Sequence, residues 1–191
     1  MSWIEVIIVV LSVFYIFFAI RNQPVCFVFG AIASSIWSYY TYFHLLLFFD
    51  ALLQFFYVIM SFLGIFQWIK GGKGGKNRHI STISIQQHIG FIVVGFIISL
   101  LLAGIVIHIL PVRMPFLDAL TTTFSIMATL MLVYRKIEHW IYFVAVNTGY
   151  VYIYIHSQSI VLALIMGVYA MMAVMGYYQW KKLMNLEREP M

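Results

Sequence analysis

The chain has 191 residues, of which 64% are hydrophobic and only 9% charged, and its mean hydropathy is +0.99. A soluble domain carries about 25% charged residues, so a chain this poor in charge cannot cover a water-facing surface, and lipid is the solvent that fits. The single cysteine, Cys26, excludes a disulfide framework and any multi-cysteine metal site, and the net charge of +5 does not point to nucleic acid because the basic residues fall in loops between apolar segments.

A membrane-spanning helix needs about 20 mostly apolar residues. Segments of that kind run over 3–20, 25–43, 45–69, 88–110, 115–134, 138–155 and 158–181. They are long and continuously apolar rather than alternating with period two, which indicates helices and not a barrel. The first begins at Trp3-Ile-Glu with no basic stretch ahead of it, so it reads as a retained helix and not a signal peptide. Aromatic residues make up 18% of the chain, and Trp and Tyr favour bilayer interfaces. On that ground Trp68 and Trp180, each ending a segment, are expected in an interfacial belt. The one long connection, Lys70-Gly-Gly-Lys-Gly-Gly-Lys-Asn-Arg-His79 and on to about Gln87, reads as a flexible basic linker. It resembles a phosphate loop only superficially, since no Gly-Lys-Ser/Thr follows and no strand precedes it.

Orientation follows from the charges. With seven spans, the loops after segments 1, 3 and 5 share a side with the C-terminus. That side holds Arg21, Lys70, Lys73, Lys76, Arg78, Arg135, Lys136, Lys181, Lys182 and Arg188, against Arg113 alone on the other. Basic residues accumulate on the cytoplasmic side, so the N-terminus is expected outside and the C-terminus inside.

The third and seventh segments are related to each other. At a constant offset of 112 the pairs Ala51/Ala163, Leu52/Leu164, Tyr57/Tyr169, Met60/Met172, Gly64/Gly176, Gln67/Gln179, Trp68/Trp180 and Lys70/Lys182 are identical. An internal repeat of this kind divides the chain into a three-helix repeat (1–70), a cytoplasmic linker with connecting helix four (71–110), a second three-helix repeat (115–182) and a C-terminal tail (183–191). One odd helix between them gives both repeats the same orientation. Transporters built from repeats place their substrate near the midplane, between the repeats.

Polar groups at membrane depth are costly and are functional candidates. No Lys, Arg, Asp or Glu lies at a segment centre; Glu5, Asp50 and Asp118 sit near outer ends, where the latter two also suit the helix dipole. The embedded chemistry is neutral. Gln54, Asn147, Ser34, Ser35, Ser61, Thr121, Thr122 and Ser125 offer hydrogen bonds, and Trp37, Tyr40, Tyr57, Trp140, Tyr150 and Tyr169 offer rings. Such a set suits a neutral or singly cationic ligand with a flat ring and sugar-like hydroxyls, since cations also stack on Trp and Tyr. The plainer reading is that Ser and Thr bond their own helix backbone, and that Gly64 and Gly176 serve close helix packing. His44, His108 and His156 are scattered without ligand spacing, so no metal and no cofactor is expected. An intramembrane enzyme is disfavoured by the lack of Gly-x-Ser-x-Gly, His-Glu-x-x-His or an embedded aspartate pair. A receptor or scaffold that only binds remains open.

Four stretches together resemble the PnuC vitamin transporters. They are Trp3-Ile-Glu; Leu53-Gln54-Phe-Phe with Gly64-x-x-Gln67-Trp68; Pro115-Phe-Leu-Asp118 with Arg135-Lys136-x-Glu138-x-Trp140 and Asn147; and Tyr169 with Gly176-Tyr-Tyr-Gln179-Trp180. The resemblance implies an all-α membrane protein with seven transmembrane helices in a 3+1+3 parallel-repeat arrangement, similar to the SWEET sugar transporters. It implies import of nicotinamide riboside, a precursor of NAD, across a bacterial inner membrane by facilitated diffusion, with phosphorylation of the substrate inside maintaining net uptake. Ligand contacts carry over to Gln54, Tyr57, Trp140, Asn147 and Tyr169, with Trp37, Phe143 and Tyr150 as further ring candidates. Phe143 stands where members often have a second Trp, which leaves thiamine and riboflavin, carried by relatives, as alternatives. Some members form homo-oligomers, trimers among them.

Overall fold

The computed structural model describes residues 3–43, 48–72, 78–109, 114–156 and 160–188. Among them are seven helices: α1 (Trp3–Ile20), α2 (Cys26–Phe43), α3 (Phe48–Lys70), α4 (Ile85–Ile109), α5 (Pro115–Val133), α6 (His139–His156) and α7 (Ile160–Arg188). The expected segment ends at 45–47, 110 and 158–159 lie outside the described residues. Leu53–Lys70, Ile85–His108 and Pro115–Val133 are long and apolar enough to cross a bilayer, and Val6–Ile20 and Cys26–Tyr40 are shorter apolar stretches. On α4 the side chains of Ile89, Val93, Leu100, Leu101 and Ile107 are all exposed. A helix apolar on every side, with so much of that surface left uncovered by protein, belongs in lipid.

Two expectations are corrected at the helix ends. The linker does not run to Gln87. The Ser84 hydroxyl accepts the Gln87 N–H (3.2 Å) and the Gln87 carboxamide accepts the Ser84 N–H (2.9 Å). This reciprocal Ser-x-x-Gln cap starts α4 at Ile85. Nor is the stretch before it a free tether. The Arg78 N–H reaches the Trp68 carbonyl (3.4 Å), the Ile80 N–H reaches the Glu187 carboxylate (3.0 Å), and the Ile83 N–H reaches the Glu138 carboxylate (3.0 Å). The second correction is the tail: α7 continues past Lys182 to Arg188, with Met184 buried and Glu187 anchoring Ile80.

The helices group into two compact units. The first holds α1–α3 with the chain to Ile80, Val133–Arg135 and the end of α7 from Lys182. Within it α2 packs on both α1 and α3. The second holds Ser81–Leu132 and Lys136–Lys181. Within it the Phe124 ring of α5 sits 2.8 Å from where a Cβ on Gly95 of α4 would lie, and Tyr142 of α6 stacks on both Phe124 (5.9 Å) and His88 (5.6 Å).

Each unit contains the same joint. In the first, Phe27 of α2 lies against Gly64 of α3 and edge-on to Trp68, with ring centroids 4.8 Å apart at 83°. In the second, Trp140 of α6 lies against Gly176 of α7 and edge-on to Trp180, at 5.8 Å and 84°. A Cβ on Gly64 would sit 2.3 Å from the Phe27 ring, and one on Gly176 would sit 2.7 Å from the Trp140 ring. Glycine is therefore required by the ring, as expected for close packing. Trp68 and Trp180, by contrast, are not belt residues: they are 1% and 0% exposed.

The turns leading into α2 and α6 also match. Asn22 and Arg135 both have a left-handed backbone, φ 56° and 51°. The Gln23 N–H reaches back to the Phe18 carbonyl (3.0 Å) and the Lys136 N–H to the Met131 carbonyl (2.8 Å). This is the Schellman closure of a helix C-terminus. The next bonds repeat as well: Cys26 to Gln23 and His139 to Lys136, then Phe27 to Pro24 and Trp140 to Ile137. The offset here is 113, one more than between α3 and α7, so the first unit has one extra residue between turn and glycine.

Gly64→Ala and Gly176→Ala should each lower stability by about 1–3 kcal/mol, the usual range for overpacking. Gly104→Ala, where a Cβ meets nothing within 4 Å among the described residues, should not. Thermal unfolding in detergent checks the contrast, and equal melting temperatures for all three would contradict it.

Candidate functional site

The expected ligand residues fall into two groups, one per unit. In the first unit Gln54 and Tyr57 of α3 are half-buried, one turn apart on a face continued by Ser61, Gly64 and Trp68. That face meets α2: Phe27 covers Gly64, and the Ser61 hydroxyl lies 3.3 Å from where a Cβ on Gly30 would be. Ser61 donates to the Tyr57 carbonyl (2.9 Å), the backbone bond expected of an intramembrane hydroxyl. Trp37 is half-buried on α2.

In the second unit Trp140, Phe143, Asn147 and Tyr150 lie at spacings of three and four, and so share one face of α6. Phe143, Asn147 and Tyr150 are half-buried, and Tyr150 continues the stripe by stacking on Tyr154 at 6.0 Å. Trp140 differs. It is 2% exposed and packs into the joint with Gly176 and Trp180, and its indole N–H finds no acceptor among the described residues. Tyr169 is half-buried on α7, two turns before Gly176. This face carries two kinds of chemistry, ring surfaces and one carboxamide, and no charge.

Other embedded hydroxyls follow the same plainer expectation. Thr121 donates to the Leu117 and Asp118 carbonyls (both 3.0 Å) and Thr129 to that of Ser125 (2.8 Å). Their donor hydrogens are engaged on their own helix. The Asp50 side chain, His44 and Arg113 lie outside the described residues. Among the described residues no group of three His, Cys, Asp or Glu side chains is placed to hold a metal.

A groove of about 340 Å³ lies on α2 and α3, lined by Ser35, Ser38, Tyr39, Tyr42, Phe43, Phe55 and Val58. Of the embedded polar residues named from the sequence it contains only Ser35, and none of the ring and amide contacts carried over from the family resemblance. Tyr39, Phe43 and Phe55 around it are more than half exposed, which makes it a surface groove and not an enclosed site.

One charged cluster was missed by sequence reasoning. Arg135, 6% exposed, holds its guanidinium 4.5 Å above the Trp68 ring and donates to the Arg78 carbonyl. Arg78 in turn donates to the Gln67 carboxamide (2.9 Å) and lies 5.3 Å over the Tyr134 ring. Burial pulls the Arg135 pKa below its ordinary value, and the Glu187 charge opposes that shift. Arginine loses its proton only far above neutral pH, so Trp68 is capped by a cation. Arg135 and Trp68 are 67 residues apart in sequence, and nothing in their local patterns pairs them.

The family model described as nicotinamide mononucleotide transporter matches residues 2–182. The chain belongs to that family. It is thus a multi-pass membrane protein whose relatives are transporters. Among curated relatives, the nicotinamide riboside transporter PnuC of Neisseria mucosa is 23% identical over 195 residues, which cover 96% of this chain and 74% of that one. The nicotinamide riboside transporter PnuC of Haemophilus influenzae is 24% identical over 132 residues, covering 68% of this chain and 57% of that protein. A crystal structure titled as the vitamin B3 transporter PnuC superposes with a TM-score of 0.75, covering 97% of this chain and 83% of the other at 21% identity. The family fold therefore extends over nearly the whole chain.

Arg135→Asn keeps a residue suited to the left-handed turn, as at Asn22, while removing the cation from Trp68. It should lower stability by about 1–3 kcal/mol, the combined scale of a desolvated cation–π contact and a hydrogen bond to a buried carbonyl. Chemical denaturation in detergent measures it; unchanged stability would show that the cap contributes nothing.

Proposed function

We propose that this protein imports nicotinamide riboside across a bacterial inner membrane by facilitated diffusion. Phosphorylation of the cargo inside the cell then keeps its free concentration low and sustains net uptake. The observation that carries this reading is the uncharged ring-and-amide stripe of α6: Trp140, Phe143, Asn147 and Tyr150. A pyridinium ring stacks on such faces, and ribose hydroxyls pair with a carboxamide and phenols. Gln54, Tyr57, Trp37 and Tyr169 are the further contacts we assign.

The family description names the mononucleotide, whereas the curated relatives are named for the riboside. The residues favour the riboside. A phosphate group is usually met by Arg or Lys, and no segment centre offers one. Among the described residues the half- or fully buried arginines are Arg78 and Arg135, and they are engaged with Gln67, Tyr134 and Trp68. Thiamine or riboflavin is the alternative cargo, since Phe143 has no indole N–H.

The recurrence of the turn and of the ring-on-glycine joint supports two parallel three-helix repeats joined by α4. The count of ten basic residues against one supports an outside N-terminus and a cytoplasmic C-terminus. A homo-oligomer, as in some members, is part of this reading.

Calorimetry on purified protein should rank nicotinamide riboside above its mononucleotide, thiamine and riboflavin. Tighter thiamine or riboflavin binding would overturn the cargo, and tight mononucleotide binding would overturn the argument from missing cations. A reporter fused to the C-terminus that fluoresces only in the cytoplasm should be bright; a dark fusion at normal expression would reverse the topology.

A further inference from the structure

In the second unit, the residue just before Trp140 is a fully buried histidine. His139 is 0% exposed and touches three aromatic side chains. Its ring centroid lies 4.4 Å from that of Trp140, 4.7 Å from Trp180 at 69°, and 6.0 Å from Phe143 at 85°. The ring is itself anchored. Nδ1 lies 2.6 Å from the Lys136 carbonyl oxygen. A carbonyl can only accept, so Nδ1 carries the proton, and in the neutral ring Nε2 holds a lone pair. That Nε2 has no partner among the described residues.

A buried polar atom without a partner lowers stability, so an apolar residue would serve packing better. The matching position of the first unit has one. Cys26, at the same place in the Schellman turn, is 0% exposed beside Phe27. The two units share backbone and joint and differ here in side-chain chemistry. The unit with histidine is the one in which the helix after the turn, α6, carries the ring-and-amide stripe.

We propose that His139 is a positioning residue: its anchored ring sets the orientation of Trp140 and Phe143, the two rings at the inner end of the ligand-facing stripe. The inference rests on the reading of α6 as the ligand-facing helix. The Lys136 carbonyl fixes the imidazole by one hydrogen bond. The imidazole fixes Phe143 by an edge contact and Trp140 by a tilted one. A ligand that stacks on the half-buried Phe143 meets a ring already oriented and backed by the buried Trp140, and binding sites need their contact groups held to about half an ångström.

The test compares two equally buried positions. His139→Phe keeps a ring but removes the bond to Lys136. Phe27→Leu disturbs the corresponding joint of the first unit. Binding of nicotinamide riboside, thiamine and riboflavin is measured by calorimetry on each purified variant, with thermal unfolding alongside. His139→Phe should weaken the ligand that the unmodified protein binds by about tenfold or more. Phe27→Leu should lower the melting temperature at least as much, yet change affinity by less than about threefold. Unchanged affinity in His139→Phe overturns the proposal, and so does an equal loss in Phe27→Leu, which would make the effect one of general packing. Should the unmodified protein prefer thiamine or riboflavin, the cargo assignment fails while the comparison is made on that ligand. Should it bind none of the three, the near-ultraviolet dichroism of the ligand-free proteins decides: altered tryptophan bands in His139→Phe uphold the positioning role, and unaltered bands refute it.

Discussion

Within the hydrocarbon of a bilayer no water is present to satisfy a backbone amide, so each amide at that depth must be bonded inside its own helix. The rest of this protein follows from that constraint. It makes the chain a set of helices of about twenty residues. Lack of water likewise keeps charge from the segment centres: Lys70, Arg78, Arg135, Lys136, Lys181 and Lys182 lie beyond the apolar runs or at their margins. It also obliges the embedded hydroxyls of Ser61, Thr121 and Thr129 to bond back to carbonyls of their own helices. What is left to face a ligand is neutral.

Because lipid is as apolar as the side chains, hydrophobic burial does little to bring helices together, and close packing at small residues must do it instead. Phe27 on Gly64 and Trp140 on Gly176 are two instances of one solution. Each places a flat ring against a helix backbone and an edge against the next tryptophan. The left-handed residues Asn22 and Arg135 close the preceding helices in the same way. Arg135 has a second task, since the turn that gives it a positive φ also leaves its guanidinium over Trp68.

Much of this was legible in the sequence, for physical reasons. Segment lengths and apolar runs set the helix positions to within a few residues, because a bilayer demands both. The offset between α3 and α7 was visible because the joint needs the same Gly and Trp in each. The matching turns were not visible, since a Schellman closure is made of backbone bonds and Asn22/Arg135 share no side-chain chemistry. The burial of Trp68 and Trp180 was also illegible. It depends on Phe27 and Arg135 in one case and on Trp140 and His139 in the other, all distant in sequence. Lys181 and Lys182 read as a helix end facing water, but Met184 and Glu187 find partners beyond them and carry α7 on. The Ser84-x-x-Gln87 cap is legible in sequence as a helix start, although the polar residues around it resemble a linker.

For the site, residue type was the readable part. Spacing places Trp140, Phe143, Asn147 and Tyr150 on one face, but only the structure reveals that Trp140 is held inside a packing joint and that His139 anchors it. We propose that the stripe passes its cargo without coupling to an ion, since no Lys, Arg, Asp or Glu lies at a segment centre to carry one. The most direct measurement is counterflow of labelled nicotinamide riboside into liposomes containing the purified protein and preloaded with unlabelled riboside. The account predicts rapid exchange that ignores an imposed proton or sodium gradient. No exchange, or accumulation above equilibrium when a gradient is applied, would contradict it.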